Sequence, residues 1–159
     1  YAKRKGPFGT VVGSLPGALS LVAGYTALTG VLDVTAIILF AIMVLWQLPH
    51  FYAIAIYRIK DYTAAELPVL SITKGIGATK KRIIMYICLY GVVSTFLYIF
   101  SYAGLTYLIV MTLASVWWAW AATRPHSSNL DLWAKKVFGQ SLVVLLVFSV
   151  LISINNFLP

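Results

Sequence analysis

Val34-Thr35-Ala36-Ile37-Ile38-Leu39-Phe40-Ala41-Ile42-Met43-Val44-Leu45-Trp46-Gln47-Leu48-Pro49-His50-Phe51-Tyr52-Ala53-Ile54-Ala55-Ile56-Tyr57 holds one ionisable side chain well inside it, His50. It is longer than the roughly 20 apolar residues that cross a bilayer as a helix. Four more apolar stretches, at about residues 10–28, 83–100, 105–122 and 137–157, have similar length. The chain is 61% hydrophobic and 10% charged, whereas soluble domains carry about a quarter charged residues. The expected fold is therefore all-α: a polytopic transmembrane bundle of five spans, with residues 1–159 forming a single transmembrane domain.

The net charge of +8 points to membrane topology rather than nucleic acid, because the cations occupy only the short gaps between apolar runs. Five spans put Lys3, Arg4 and Lys5 on one side of the bilayer. Arg58, Lys60, Lys74, Lys80, Lys81, Arg82, Arg124, Lys135 and Lys136 fall on the same side. The opposite side has only Asp33. A one-sided Lys/Arg excess marks the cytoplasmic face. Trp117, Trp118 and Trp120 precede Arg124, where an interfacial aromatic belt is expected. Small residues in the first stretch (Gly13, Ser14, Gly17, Ala18) suit close helix packing, and Pro16 is expected to bend it. Cys88, the sole cysteine, reads as a small buried residue. Asn155 and Asn156 mark the end of the last helix, and His126 reads as solvated.

Ionisable groups inside a span are costly and become functional candidates. If the second helix continues through Arg58, Gln47, His50, Tyr57 and Asp61 share an arc of about 80°. His50 to Asp61 is then roughly 16 Å. Gln47 and His50 also fit interhelical hydrogen bonding. Residues 58–82 form the one long connection, with Tyr57-Arg58-Ile59-Lys60-Asp61-Tyr62 at its start. Two cations beside a carboxylate suit a diphosphate–Mg²⁺ group. An ordinary positive-inside loop with a surface ion pair is the other reading. One carboxylate is a poor magnesium site by itself, and Glu66 need not share the helix face of Asp61.

Trp46-Gln47-Leu48-Pro49-His50-Phe51, Tyr57-Arg58-Ile59-Lys60-Asp61-Tyr62 and Leu67-Pro68-Val69-Leu70 resemble the protoheme IX farnesyltransferase (heme O synthase) family of UbiA-type membrane prenyltransferases. The resemblance extends along the chain through Ser115-Val116-Trp117-Trp118 and Trp133-Ala134-Lys135-Lys136. It implies a nine-helix bundle, with this chain matching the last five helices. Four preceding helices and an NxxxDxxxD motif are then expected upstream. The implied reaction joins farnesyl from farnesyl diphosphate to a vinyl group of heme b, with addition of water and release of diphosphate. Arg58 and Lys60 are then expected to bind diphosphate and Asp61 to hold Mg²⁺. His50, Gln47, Tyr57 and Tyr62 are expected to contact substrate, with His50 as an axial ligand to heme iron or a propionate partner. The implied location is the bacterial inner membrane, with basic loops cytoplasmic and a terminal oxidase assembly downstream. Ser20 and Leu21 stand where the family usually has a Pro-Pro pair. A non-catalytic membrane subunit beside a heme protein and half of a transporter are the competing classes. On the enzyme reading, Lys80→Gln is expected to be nearly silent in an activity assay, whereas Arg58→Gln is not.

Overall fold

The computed structural model describes residues 9–124 and 129–155. Lys3, Arg4, Lys5, His126 and Asn156 lie outside the described residues. All described secondary structure is helical: α1 (Gly9–Thr29), α2 (Val34–Tyr57), α3 (Ile59–Ala64), α4 (Leu70–Thr73), α5 (Gly75–Ile99), α6 (Leu105–Thr123) and α7 (Leu130–Ser153). Five of these, all except α3 and α4, are long and apolar enough to cross a membrane. The chain is a multi-pass membrane protein.

Helices α2, α5, α6 and α7 close a four-membered ring, and α1 lies against the outer side of α2. The ring core is built from Ile42, Tyr52, Ile83, Ile87, Tyr90, Met111, Trp118, Val137 and Val144. Association in lipid rests on packing and hydrogen bonds rather than on escape from water. The α1–α2 contact shows this: Ser14 and Ala18 are fully buried, and a Cβ added at Gly17 would collide with Gln47 Oε1. Helix α1 runs unbroken through Pro16 and α2 through Pro49.

Contacts at the two ends agree with the alternating topology. At the basic end, Lys80 Nζ sits 4.4 Å from the ring centroid of Trp133, tying α5 to α7. At the other end, the Gly104 backbone N–H donates to Asn155 Oδ1 (3.0 Å), and Asn155 Nδ2 donates to the Tyr102 carbonyl (3.1 Å). Asn155 therefore clamps the end of α7 to the α5–α6 turn, beyond merely marking a helix terminus. Asp33 is spent locally. It caps α2 by accepting from the Ala36 N–H (3.1 Å) and pins α1 by accepting from the Tyr25 hydroxyl (2.8 Å).

Several boundaries differ from the sequence reading. Helix α5 begins at Gly75, so Lys80, Lys81 and Arg82 ride on its first turns instead of in a loop. Helix α7 begins at Leu130, where Asn129 Oδ1 accepts from the Leu132 N–H (3.2 Å). Charge marks where a helix leaves hydrocarbon, not where its hydrogen bonding starts. Trp118 is fully buried in the ring, leaving Trp117 and Trp120 exposed; the Arg124 guanidinium covers Trp120 at 4.0 Å. Cys88 is exposed on the outer face of α5, not buried.

Helix α3 ends in a Schellman turn. The Leu67 N–H donates to the Tyr62 carbonyl (3.0 Å) and the Glu66 N–H to the Thr63 carbonyl (3.1 Å). Glu66 therefore occupies the left-handed position, with φ 51°, that glycine adopts without steric cost. Glu66→Gly is expected to stabilise this turn by about 1 kcal/mol, read as a higher midpoint in thermal unfolding in detergent. At Asp33, desolvation raises the carboxyl pKa. Hydrogen bonds from Tyr25, the Ala36 N–H and Thr35 outweigh it and hold the pKa below the ordinary carboxylate value. Its contribution to stability is complete above that ordinary value and is lost as pH falls through the lowered folded one. Asp33→Asn is expected to flatten the acid limb of a stability–pH profile.

Candidate functional site

The site is built where α2 meets α7 and where α2 gives way to α3. Trp46 and His50 are one helical turn apart on α2, so they present to one neighbour. That neighbour is Ser141 of α7. The Trp46 indole N–H donates to the Ser141 carbonyl (2.7 Å), and His50 Nδ1 lies 2.8 Å from Ser141 Oγ. The imidazole is flanked by Trp46, stacked at 4.9 Å, and by Phe138 at 4.8 Å. Phe51 meets its edge at 5.4 Å and is itself 38% exposed. His50 remains half-buried.

Gln47 does not share this surface. It is buried against Gly17 of α1, and its Nε2 has no hydrogen-bond partner. Its surroundings are those of interhelical packing.

The continuous stripe from Gln47 to Asp61 does not form. Helix α2 stops at Tyr57, Arg58 takes φ −103° and ψ 25°, and α3 begins at Ile59. Near this bend the Ala55 carbonyl accepts a hydrogen bond from the buried Ser71 hydroxyl (3.1 Å) of α4. Asp61 therefore belongs to α3, not to α2. Its carboxylate is 70% exposed and lies 3.6 Å from the Arg58 guanidinium, itself 60% exposed. An exposed pair of this kind adds little stability, so both groups remain accessible to a charged ligand. Lys60 is exposed on α3, and Tyr62 is half-buried there.

Tyr57 is the junction between the two regions. Its ring meets Phe138 edge-on at 5.8 Å. The Arg58 guanidinium carbon is 5.9 Å from the ring centroid, and Lys135 Nζ of α7 is 6.0 Å from it. Lys135 also pairs with Asp131 at 2.6 Å. The sequence reading counted Lys135 only as flanking charge. Its placement depends on α7 starting early enough to carry it beside Tyr57, and the apolar pattern alone does not show that start. The structure thus brings Tyr57, Arg58, Asp61 and Lys135 together at one mouth, with His50 about two helical turns deeper on α2.

A magnesium ion usually keeps several waters and binds through one or two carboxylates plus phosphate oxygens. Among the described residues, no three His, Cys, Asp or Glu side chains group together. Asp61 fits as one solvent-facing ligand of such an ion and does not make a whole site.

The UbiA prenyltransferase family model matches residues 1–151, covering both the α2–α7 contact and the basic mouth. The chain belongs to the UbiA prenyltransferase family. Proteins named protoheme IX farnesyltransferase from Citrobacter koseri, Shigella flexneri and Photorhabdus laumondii are each 46% identical to it across 100% of its length. The chain spans about half the length of these curated relatives, 54% of each. No solved structure matches it. Within this UbiA chain, the residues that carried the resemblance divide between the two regions just described: His50 and Trp46 in the aromatic lock, Arg58, Lys60 and Asp61 at the mouth.

Proposed function

We propose that this chain forms part of a membrane farnesyltransferase. It would move the farnesyl group of farnesyl diphosphate onto a vinyl group of protoheme IX (heme b), with water adding to the other vinyl carbon, giving heme O and diphosphate. The carrying observation is similarity, across the whole of this chain and about half of each relative, to proteins named for that activity. The clustering of Arg58, Lys135 and Asp61 around Tyr57 supports it.

The chemistry follows from charge. Breaking the bond between the allylic carbon and diphosphate leaves negative charge on the leaving group. Cations already in place stabilise that charge without reorganising. Arg58 offers a planar fork for phosphate oxygens, whereas Lys60 and Lys135 act as compact point charges. Tyr57 sits between the charged mouth and the apolar interior and supports Arg58 and Lys135 across its ring. Asp61 would supply one carboxylate to Mg²⁺, which adds positive charge at the leaving diphosphate. The remaining carboxylates would come from the part of the relatives' length that this chain does not span. His50, with Trp46, Phe51 and Phe138, gives a flat aromatic environment for a porphyrin. Tyr62 is the outer member of the substrate-binding set, whereas Gln47, buried against Gly17, would act only by seating α1 on α2.

On this reading the protein resides in the bacterial inner membrane with its basic end in the cytoplasm, where a phosphorylated substrate is available. Its product would supply a terminal oxidase assembly. Membranes carrying the full-length protein are expected to convert heme b and farnesyl diphosphate into heme O, separated by reversed-phase chromatography. Arg58→Gln is expected to lower kcat/KM for farnesyl diphosphate by about a hundredfold, the scale of losing one charge-stabilising donor. Absence of heme O with the wild-type protein would overturn the proposal.

A further inference from the structure

The hydroxyl of Ser141 has one proton, and its two short contacts assign where it goes. Ser141 Oγ donates to the Phe138 carbonyl, one helical turn back, at 2.5 Å. The same oxygen lies 2.8 Å from His50 Nδ1. With its proton committed to Phe138, Ser141 can only accept from His50. Nδ1 must therefore carry the ring hydrogen, and Nε2 presents a bare lone pair. Nε2 takes no hydrogen bond among the described residues. Ser141 is itself fully buried, so water does not compete for the contact. Its carbonyl is held by the Trp46 indole, and the ring is held between Trp46 and Phe138. The tautomer of His50 is thus set by α7, and its orientation by α7 together with Trp46.

We infer that Ser141 is a positioning residue that readies His50 Nε2 to ligate the iron of the heme substrate. This rests on the proposed farnesyltransferase function and deepens it. A histidine meant to hold a heme propionate needs an N–H pointing at the carboxylate. The free nitrogen here has none. A histidine that binds a metal through one nitrogen almost always donates from the other to a neighbouring oxygen, and Ser141 is that oxygen. The exposed edge of Phe51 beside the ring provides apolar surface for the macrocycle.

The test is titration of ferric heme b into the purified full-length protein, followed by optical and electron paramagnetic resonance spectra. The wild type is expected to show a histidine-ligated iron. His50→Gly is expected to lose that signature, and added imidazole to restore it. Ser141→Ala is expected to weaken heme binding by about tenfold or more, while Ser141→Thr, which keeps the hydroxyl, retains wild-type affinity. A His50→Gly protein whose heme spectrum matches the wild type would overturn the ligand assignment, and continued heme O formation there would leave the farnesyltransferase reading standing. Ser141→Ala with unchanged affinity and spectrum would overturn the positioning role. A wild-type protein that neither binds heme b nor makes heme O would remove both this inference and the function it rests on.

Discussion

Polar side chains on α2 have no water to turn to in the hydrocarbon, and each one that stays there must be matched by a neighbouring helix or shielded by it. That requirement organises the molecule. Trp46 is matched by a carbonyl of α7, and His50 by a hydroxyl of the same helix. Gln47 is enclosed by the glycine surface of α1. Nearer the exit from the membrane, the Ala55 carbonyl is met by Ser71 of α4. The polar cluster that interrupts the most apolar region of the chain is thus also what fixes its neighbours around it.

The basic end follows different rules because it meets water. Its ion pairs are exposed and contribute little to stability. Aromatic rings hold cations there as well: Trp133 beneath Lys80, Trp120 beneath Arg124, and Tyr57 between Arg58 and Lys135. A cation resting on a ring keeps its outward hydrogens free for an anion, whereas one buried in a carboxylate pair does not. Lys80 therefore has a packing role that its place in a run of positive charge does not reveal.

The five spans, their alternation and the one-sided charge were legible in the sequence because lipid imposes length and composition directly. The bounds of α2 coincide with its apolar run. The starts of α5 and α7 were not legible, since polar helical turns outside the membrane look like loop. The bend at Arg58 was hidden for a related reason: nothing local forbids the helix from continuing, and the Ala55 carbonyl beside the turn is met by Ser71, sixteen positions on from Ala55. His50, Arg58 and Asp61 stood out as residues, but Ser141 did not. A serine in an apolar run is unremarked until the helix that faces it is known. Cys88 and Trp118 show the same limit, because in a chain this apolar hydrophobicity does not separate lipid-facing from core positions.

The Asn155 side chain holds the α5–α6 turn and the end of α7 through two backbone groups. That joint lies at the face of the membrane opposite the cations. Three of the four ring helices are thereby fastened together at that tip. The two ends of the ring are thus held by different means: amide-to-backbone hydrogen bonds at the Asn155 end, and a cation on an aromatic ring, Lys80 on Trp133, at the basic end.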